Sequence, residues 1–126
     1  MVLQKKAIRA VNNLGFNSHT SEHFKSMGCL RLGDLYKLRL GSIMYKTIIQ
    51  NNYYVVGNRL QLNSTTHAYS TRTANLIRLP LYRKSKSQRS FLYRGILTWN
   101  EFSQLADLSS LRNFKKSLTG IIFNNY

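Results

Sequence analysis

Apolar side chains recur at helical spacing near the start of the chain. In residues 2–14 an apolar residue returns every three or four positions, and the basic residues of this segment fall on the other side. Residues 21–27 are predicted to form a second short helix, which Thr20 or Ser21 can cap and Gly28 can end. The pattern therefore predicts two short N-terminal helices, the first with a basic outer face.

Two longer helices are predicted further along the chain. One covers residues 34–50, with Asp34 as its N-cap, and its apolar residues form two stripes on nearly opposite sides of a helical wheel. We expect this helix to pack on two sides and to form the core. The last helix contains the apolar residues of segment 111–122, which step by three or four positions, and Ser109 or Ser110 can cap it.

Between these helices the apolar pattern is irregular. Residues 51–73 are rich in Asn, Ser, Thr and Gly and are predicted to form a loop. Residues 75–82 contain Pro80 and are predicted to be extended, because proline biases the preceding residue away from the helix. Residues 90–93 are predicted to form a short strand or extended strap before a helical turn at residues 96–102.

These elements indicate one small, mainly α-helical domain with short extended segments in its second half. A chain of 126 residues has the size of one domain. It divides into a helical part (1–50), a loop-rich part (51–73), and a basic strap with C-terminal helices (74–126). With 43% hydrophobic and 12% aromatic residues, the chain is unlike a disordered basic tail. Trp99, the single tryptophan, is expected to anchor the core.

The net charge of the chain is strongly positive. Nineteen Lys and Arg residues against four acidic residues give a formal charge of +15 at pH 7. Because the Debye length at physiological salt is about 8 Å, these charges repel one another and favour a polyanionic partner. We expect RNA or DNA as that partner. A membrane is not expected, because no apolar run is long enough to span one and no long helix carries all its basic residues on one side.

The sequence shows no pattern for secretion, metal binding or catalysis. The N-terminal segment lacks the apolar run of a signal peptide, so an intracellular location, nuclear or cytoplasmic, is expected. Cys29, interpreted as a buried or incidental thiol, forms no zinc spacing with His19, His23 and His67. The carboxylates are scattered, whereas two-metal phosphoryl transfer requires clustered ones. We therefore expect no catalytic residue, no metal, no cofactor and no small-molecule substrate.

Two groups of basic residues are candidates for contact with phosphates. The first is interleaved with Tyr82, Phe91 and Tyr93, and phosphate contact is favoured there over a solvated loop. For the three aromatic rings, packing is favoured over stacking on bases. The second group lies on the first helix, where a solvent-facing helix side is an equal alternative. The predicted nucleic-acid-binding residues are Arg83, Lys84, Lys86, Arg89 and Arg94 in the first group, Lys5, Lys6 and Arg9 in the second, and Arg72.

Several short segments follow one another in a specific order. In chain order they are LQKKAIR (3–9), HT (19–20), FK (24–25), Leu30, DLYKL (34–38), MYK (44–46), HAYSTR (67–72), LP (79–80), SFLYRG (90–95), WN (99–100) and FKKSL (114–118). Each is short, but together they cover nearly the whole chain. This order resembles the post-thumb region of jockey-like non-LTR retrotransposon reverse transcriptases, and HAYSTR is similar to the HxYxTR element of that family.

The resemblance implies a C-terminal element that follows the polymerase thumb and helps to hold template RNA, primer or target DNA. The first helix would be the end of the thumb, and the HxYxTR-like element and the basic strap would contact nucleic acid or dock within the polymerase. The sequence departs from the family at Glu22, where a proline is usual, and at Phe102 and Ser103, where Leu-Pro is usual. Local turns are expected to differ there.

The family's fingers and palm, with their catalytic aspartates, are not part of this sequence. The resemblance therefore implies a non-catalytic fragment or remnant of an RNA-directed DNA polymerase, and no polymerase activity in this chain. A structural module is the alternative hypothesis. In that case the charge docks the chain onto the upstream reverse transcriptase domains or onto another acidic protein.

Overall fold

The computed structural model describes residues 2–52, 59–66, 69 and 71–126, and within them the regular structure is almost entirely helical. The helices are α1 (Val2–Val11), α2 (Ser21–Ser26), α3 (Leu32–Ile48), α4 (Ser85–Gln88), α5 (Phe91–Phe102) and α6 (Leu111–Asn124). The predicted fold class, a small and mainly α-helical domain, is confirmed. Residues 53–58, 67, 68 and 70 of the predicted loop lie outside the described residues.

The two N-terminal helices occur where the sequence predicts them, although both are shorter. Of the ten residues of α1, Ile8 is the buried one. Helix α2 buries Phe24. The chain leaves α2 through Gly28, whose φ of 62° lies in the left-handed region that glycine adopts without strain. The next amide, that of Cys29, donates to the Phe24 carbonyl at 2.9 Å and closes the helix end.

Helix α3 begins before the predicted N-cap, so the prediction for Asp34 is wrong. Arg31 is the N-cap, with extended backbone angles, and its carbonyl accepts from the amides of Asp34 and Leu35. The Arg31 amide in turn donates to the Tyr126 hydroxyl at 2.8 Å. Asp34 lies in the first turn, where its negative charge interacts favourably with the helix dipole. Its Oδ2 accepts a hydrogen bond from the Tyr126 hydroxyl at 2.8 Å.

The core lies where α3 packs against α5 and α6. Glycines at both contacts allow a close approach of the helices. A Cβ atom added at Gly41 would lie 3.0 Å from Leu118 Cδ2 of α6, and one added at Gly95 of α5 would lie 3.0 Å from Met44 Sδ. Helix α3 therefore contacts both α5 and α6, as expected of the core helix. The prediction of two nearly opposite buried stripes is wrong in part, because the stripe residues Leu35, Tyr36 and Ile49 are exposed.

Aromatic rings fill the centre of this core. The centroids of Tyr45 and Phe114 are 5.1 Å apart, and those of Phe114 and Trp99 are 5.9 Å apart. The Tyr45 hydroxyl donates to the Leu108 carbonyl at 2.9 Å, so its one polar atom is paired. Trp99 is buried, which confirms the prediction that it anchors the core.

The prediction of a strand or strap at residues 90–93 is wrong, because Ser90 is the N-cap of α5 and residues 91–93 form its first turn. The Ser90 Oγ accepts from the Tyr93 amide at 3.4 Å. A short run of consecutive apolar residues does not distinguish strand from helix by periodicity. The deciding contacts come later in the helix, where Ile96, Trp99 and Phe102 step by three and enter the core.

The segment before α4 has no helix around Pro80, as predicted, but residues 72–75 form a turn, so the predicted extended segment begins after residue 76. Leu62 and Ile77 form an isolated antiparallel bridge, next to which the Arg78 amide donates to the Gln61 carbonyl at 2.7 Å. The side chain of Asn100 fixes this segment to α5. Its Oδ1 accepts from the Ile77 amide at 3.0 Å, and its Nδ2 donates to the Ile77 carbonyl at 2.8 Å.

Helix α6 agrees with the prediction. Ser110 is the N-cap, with its Oγ accepting from the Asn113 amide at 3.1 Å, and Phe114, Leu118 and Ile122 are buried. The preceding turn is closed by Asp107, whose Oδ1 accepts from the Ser109 amide at 2.8 Å. The hydrogen bonds from Ser109 lower the pKa of Asp107 below its ordinary value.

Candidate nucleic-acid interface

The first predicted basic group lies around α4 and in the first half of α5. Five exposed cations follow one another along this surface: Arg83, Lys84, Lys86, Arg89 and Arg94. The inner face of α5 is held in the core by Ile96 and Trp99, so the exposed face has a fixed direction. Lys86 lies in α4 and Arg94 in α5, so short helices take the place of the predicted strap. The other three cations flank α4, two before it and one after it.

Two members of this group line a cleft between α3 and α5. Arg89 and Arg94 border a cleft of about 670 Å³, together with Tyr36 and Lys37 of α3. Lys37 and Tyr36 were not among the predicted site residues. Local sequence patterns do not group them with residues 83–94, because they are distant along the chain. The packing of α3 on α5 brings them to the same cleft.

The aromatic side chains of this region pack against each other. The rings of Tyr82 and Tyr93 have centroids 5.8 Å apart and are tilted by 38°. The Gln88 side chain donates to the Tyr82 carbonyl at 2.8 Å and ties the end of α4 to the preceding segment. For Tyr82 and Tyr93 this geometry agrees with the packing interpretation, because each ring already has an aromatic partner. For Phe91 the interpretation stays a prediction.

The second predicted basic group is divided by the structure. Lys5 and Arg9 line a pocket of about 300 Å³ between α1 and the segment 17–21, together with Arg31. Lys6 is exposed but does not line this pocket. Arg9 Nε donates to the Ser18 carbonyl at 3.0 Å, so one member of the group also has a structural contact.

Arg72 stands apart from both groups. It is exposed in a turn and lines neither the cleft nor the pocket. Residues 67, 68 and 70 of the HxYxTR-like element lie outside the described residues. The prediction that Arg72 contacts nucleic acid stays a prediction.

Most of the positive charge has no internal counter-charge. In the part of the chain that the structure describes, the one ion pair joins Lys37 Nζ and Glu101 Oε1 at 3.7 Å, with both side chains about half exposed. An exposed pair of this kind contributes little to stability. The cations of α4 and α5 are therefore available to an external anion.

The described carboxylates and thiol do not assemble into a metal site. Within residues 2–52, 59–66, 69 and 71–126, no group of three or more His, Cys, Asp or Glu side chains could hold a metal ion. Cys29 is exposed, so the buried interpretation of this thiol is wrong. None of the described helices is both long and apolar enough to cross a membrane.

No protein-family model matches the chain, and no curated protein or solved structure has significant similarity to it. The proposed function therefore rests on the residues of the chain and on their geometry.

Proposed function

We propose that this chain is a non-catalytic nucleic-acid-binding module, a fragment or remnant of the C-terminal region of a non-LTR retrotransposon reverse transcriptase. The order of segments along residues 3–118 supports the origin. The observation that carries the binding function is the cleft between α3 and α5, where Arg89 and Arg94 are exposed. Lys37 also lines this cleft, where it is paired with Glu101.

Backbone phosphates are the atoms that this surface fits best. Arginine and lysine side chains on a helical surface make charge-assisted hydrogen bonds to phosphate oxygens, and such contacts carry little sequence information. Because Tyr82 and Tyr93 are already in contact with each other, base stacking at these rings requires them to separate. We therefore propose binding of template RNA or target DNA with weak sequence preference.

Salt dependence tests this function directly. Labelled single-stranded RNA and duplex DNA are titrated with the protein at several salt concentrations, with fluorescence anisotropy as the readout. Phosphate contact predicts tight binding at low salt and a linear fall of log affinity with log salt, of about 0.7 per contact on a single strand. Absence of binding at low salt, or an affinity independent of salt, contradicts the proposal.

A matched pair of variants locates the binding surface. Arg89→Gln with Arg94→Gln removes two charges from the cleft, whereas Lys115→Gln with Lys116→Gln removes two from exposed positions of α6 outside it. The first variant should weaken binding more than the second. Equal weakening by the two variants would show that overall charge, and not the cleft, determines the affinity.

The proposal includes the absence of polymerase activity in this chain. A primer-extension assay with a primed RNA template, a divalent cation and all four nucleotides should give no product above the control without protein. Extension that depends on the purified chain and disappears with a denatured sample would overturn this part of the proposal.

Docking onto another protein is a second candidate function. The first turns of α3 expose Leu32, Leu35 and Tyr36, which border a shallow apolar depression. An apolar surface of this kind fits a protein partner, such as an upstream reverse transcriptase domain. Salt-independent binding to such a domain, together with no binding to nucleic acid, would favour this function over the first.

A further inference from the structure

A second cationic site lies beside the face of α1 that carries Lys5 and Arg9. The pocket of about 300 Å³ between α1 and the segment 17–21 is lined by Lys5, Arg9 and Arg31, with His19 and three hydroxyl side chains. None of the described residues that line it is acidic. Its volume is at the lower end of the range for small-molecule sites, about 300 to 1000 Å³.

The three cations reach this pocket for different reasons. Lys5 and Arg9 are four residues apart on α1 and therefore share one helix face. Arg9 is oriented by the hydrogen bond from its Nε to the Ser18 carbonyl, 3.0 Å long. Arg31 comes from the segment before α3, so two separate parts of the chain converge on the pocket.

Arg31 is held in place by several contacts. Its Nη2 donates to Ser21 Oγ at 2.6 Å, and its guanidinium carbon lies 4.2 Å from the ring centroid of Tyr126 and 5.9 Å from that of Phe24. The Nε atom of Arg31 is buried and has no hydrogen-bond partner among the described residues. Arg31 therefore brings a fixed positive charge to the pocket, whereas its buried Nε is not open to a ligand there.

The geometry points to a binding site for a single phosphate group, and we propose that its ligand is a phosphomonoester. Phosphate offers several acceptor oxygens to the convergent cations and to the hydroxyls of Ser18, Thr20 and Ser21. A monoester carries a charge of about −1.5 to −2 at neutral pH and has a single attachment, so its phosphate enters a small pocket more easily than a backbone diester does. The monoester is the terminal phosphate of a strand or that of a free nucleotide.

Lys5 and Lys6 give a matched pair of variants for the test. Both are exposed lysines on α1, but only Lys5 lines the pocket, because successive helix residues point in different directions. Lys5→Gln and Lys6→Gln therefore change the net charge equally, but only Lys5→Gln removes a charge from the pocket. Amide chemical shifts of the full chain are followed by NMR during titration with inorganic phosphate, and sodium chloride at matched ionic strength is the control.

We expect saturable shifts at residues 17–21 and Arg31 in the wild type. Lys5→Gln should weaken phosphate binding about tenfold, the loss of one charge-assisted hydrogen bond, and Lys6→Gln less than about twofold. Equal weakening by both variants, or no saturable shifts at residues 17–21, would overturn the site. This test does not depend on the α3–α5 cleft, so the phosphate site and the proposed nucleic-acid surface can fail separately.

A second arm identifies the source of the phosphate. Binding of one oligonucleotide is compared with and without a 5′-phosphate, and a nucleoside monophosphate is tested as a competitor. A preference for the phosphorylated strand that Lys5→Gln removes assigns the pocket to strand ends. Binding of the monophosphate without such a preference assigns it to free nucleotides. If Lys5→Gln weakens the binding of neither the phosphorylated strand nor the monophosphate, the proposed ligand is wrong.

Discussion

The two basic regions of this molecule are attached to its core in different ways. Helix α5 exposes its one cation, Arg94, and buries Ile96, Trp99 and Phe102 in the core. Helix α1 buries only Ile8 among its ten residues, and polar contacts hold it in place. The side chain of Gln4 donates from Nε2 to the Leu30 carbonyl at 3.0 Å, and its Oε1 accepts from the Leu32 backbone amide at 3.0 Å.

In one region the charged residues and the residues that stabilise the fold are different, whereas in the other the same residues do both. On α4 and α5 the cations are exposed, and the apolar residues of α5 provide the packing. Around α1 and α2, Arg9 and Arg31 line the pocket and also hold the chain together through Ser18, Ser21 and Tyr126. Removal of a charge should therefore change binding alone in the first region, and both binding and stability in the second.

The largest expected effect comes from the apolar support of α5. Trp99→Ala should lower the free energy of unfolding by about 3–5 kcal/mol, because it leaves a cavity beside Phe114 in the core. Urea denaturation followed by circular dichroism measures this change. Trp99→Phe, which keeps part of the ring volume, should have a smaller effect. A decrease below about 1 kcal/mol for the alanine variant would show that the core does not support this region.

A smaller effect is expected from single arginines, and it should differ between the two regions. Arg31→Ala should lower the free energy of unfolding by about 1–3 kcal/mol, since it removes the Ser21 hydrogen bond and the contact with the Tyr126 ring. Arg94→Ala, at an exposed position of α5, should change it by less than about 0.5 kcal/mol. Equal decreases in the two variants, measured by urea denaturation, would contradict the comparison.

The contact between Tyr126 and the start of α3 should depend on pH. Burial raises the pKa of the Tyr126 hydroxyl above its ordinary value of 10.0, against the lowering effect of the hydrogen bond from Arg31. A raised pKa in the folded state favours the protonated hydroxyl. Its contribution to stability is therefore fully present below about pH 10 and is lost as pH rises through the folded pKa.

The comparison of wild type with Tyr126→Phe isolates this contribution. At neutral pH the variant should be less stable by about 0.5–1.5 kcal/mol, because it cannot form the hydrogen bonds to Asp34 and Arg31. The difference between the two proteins, measured by urea denaturation, should shrink as the pH is raised from about 8 to about 11. A difference that grows with pH would show that the sign of the pKa shift is wrong.

The local signals in the sequence were sufficient for several helices. Gly28 and Ser110 mark helix ends by their backbone and hydroxyl chemistry, and both lie where these signals place them. The periodic apolar residues of α6 identify its buried face. These features depend on neighbours within about one turn, so the sequence alone contains the information.

Features that depend on distant contacts were not predictable in this way. Asp34 looks like an N-cap locally, but the contact between Arg31 and Tyr126, 95 positions apart, places the helix start earlier. The addition of Lys37 to the cleft and of Arg31 to the pocket likewise depends on tertiary packing. Eight of the nine predicted cations are exposed and Arg9 is half-buried, but their partners across each site could not be predicted from local patterns.

The salt dependence of a four-charge variant tests the central claim most directly. In one variant, Gln replaces the four cations of the α4 region. In a control variant of equal net charge, Gln replaces four exposed lysines elsewhere. The first changes Arg83, Lys84, Lys86 and Arg89; the second changes Lys25, Lys46, Lys115 and Lys116. Both should remain folded, because substitution at exposed positions changes the free energy of unfolding by about 0.5 kcal/mol or less per site.

The slope of log affinity against log salt is then measured on single-stranded RNA for the wild type and both variants. If the α4 region contacts phosphates, its variant should bind more weakly, and its slope should be shallower by about 0.7 for each phosphate that the protein no longer neutralises. The control should keep a slope close to that of the wild type. A slope that is unchanged in the α4 variant, or reduced equally in both variants, would contradict the claim that this surface binds nucleic acid.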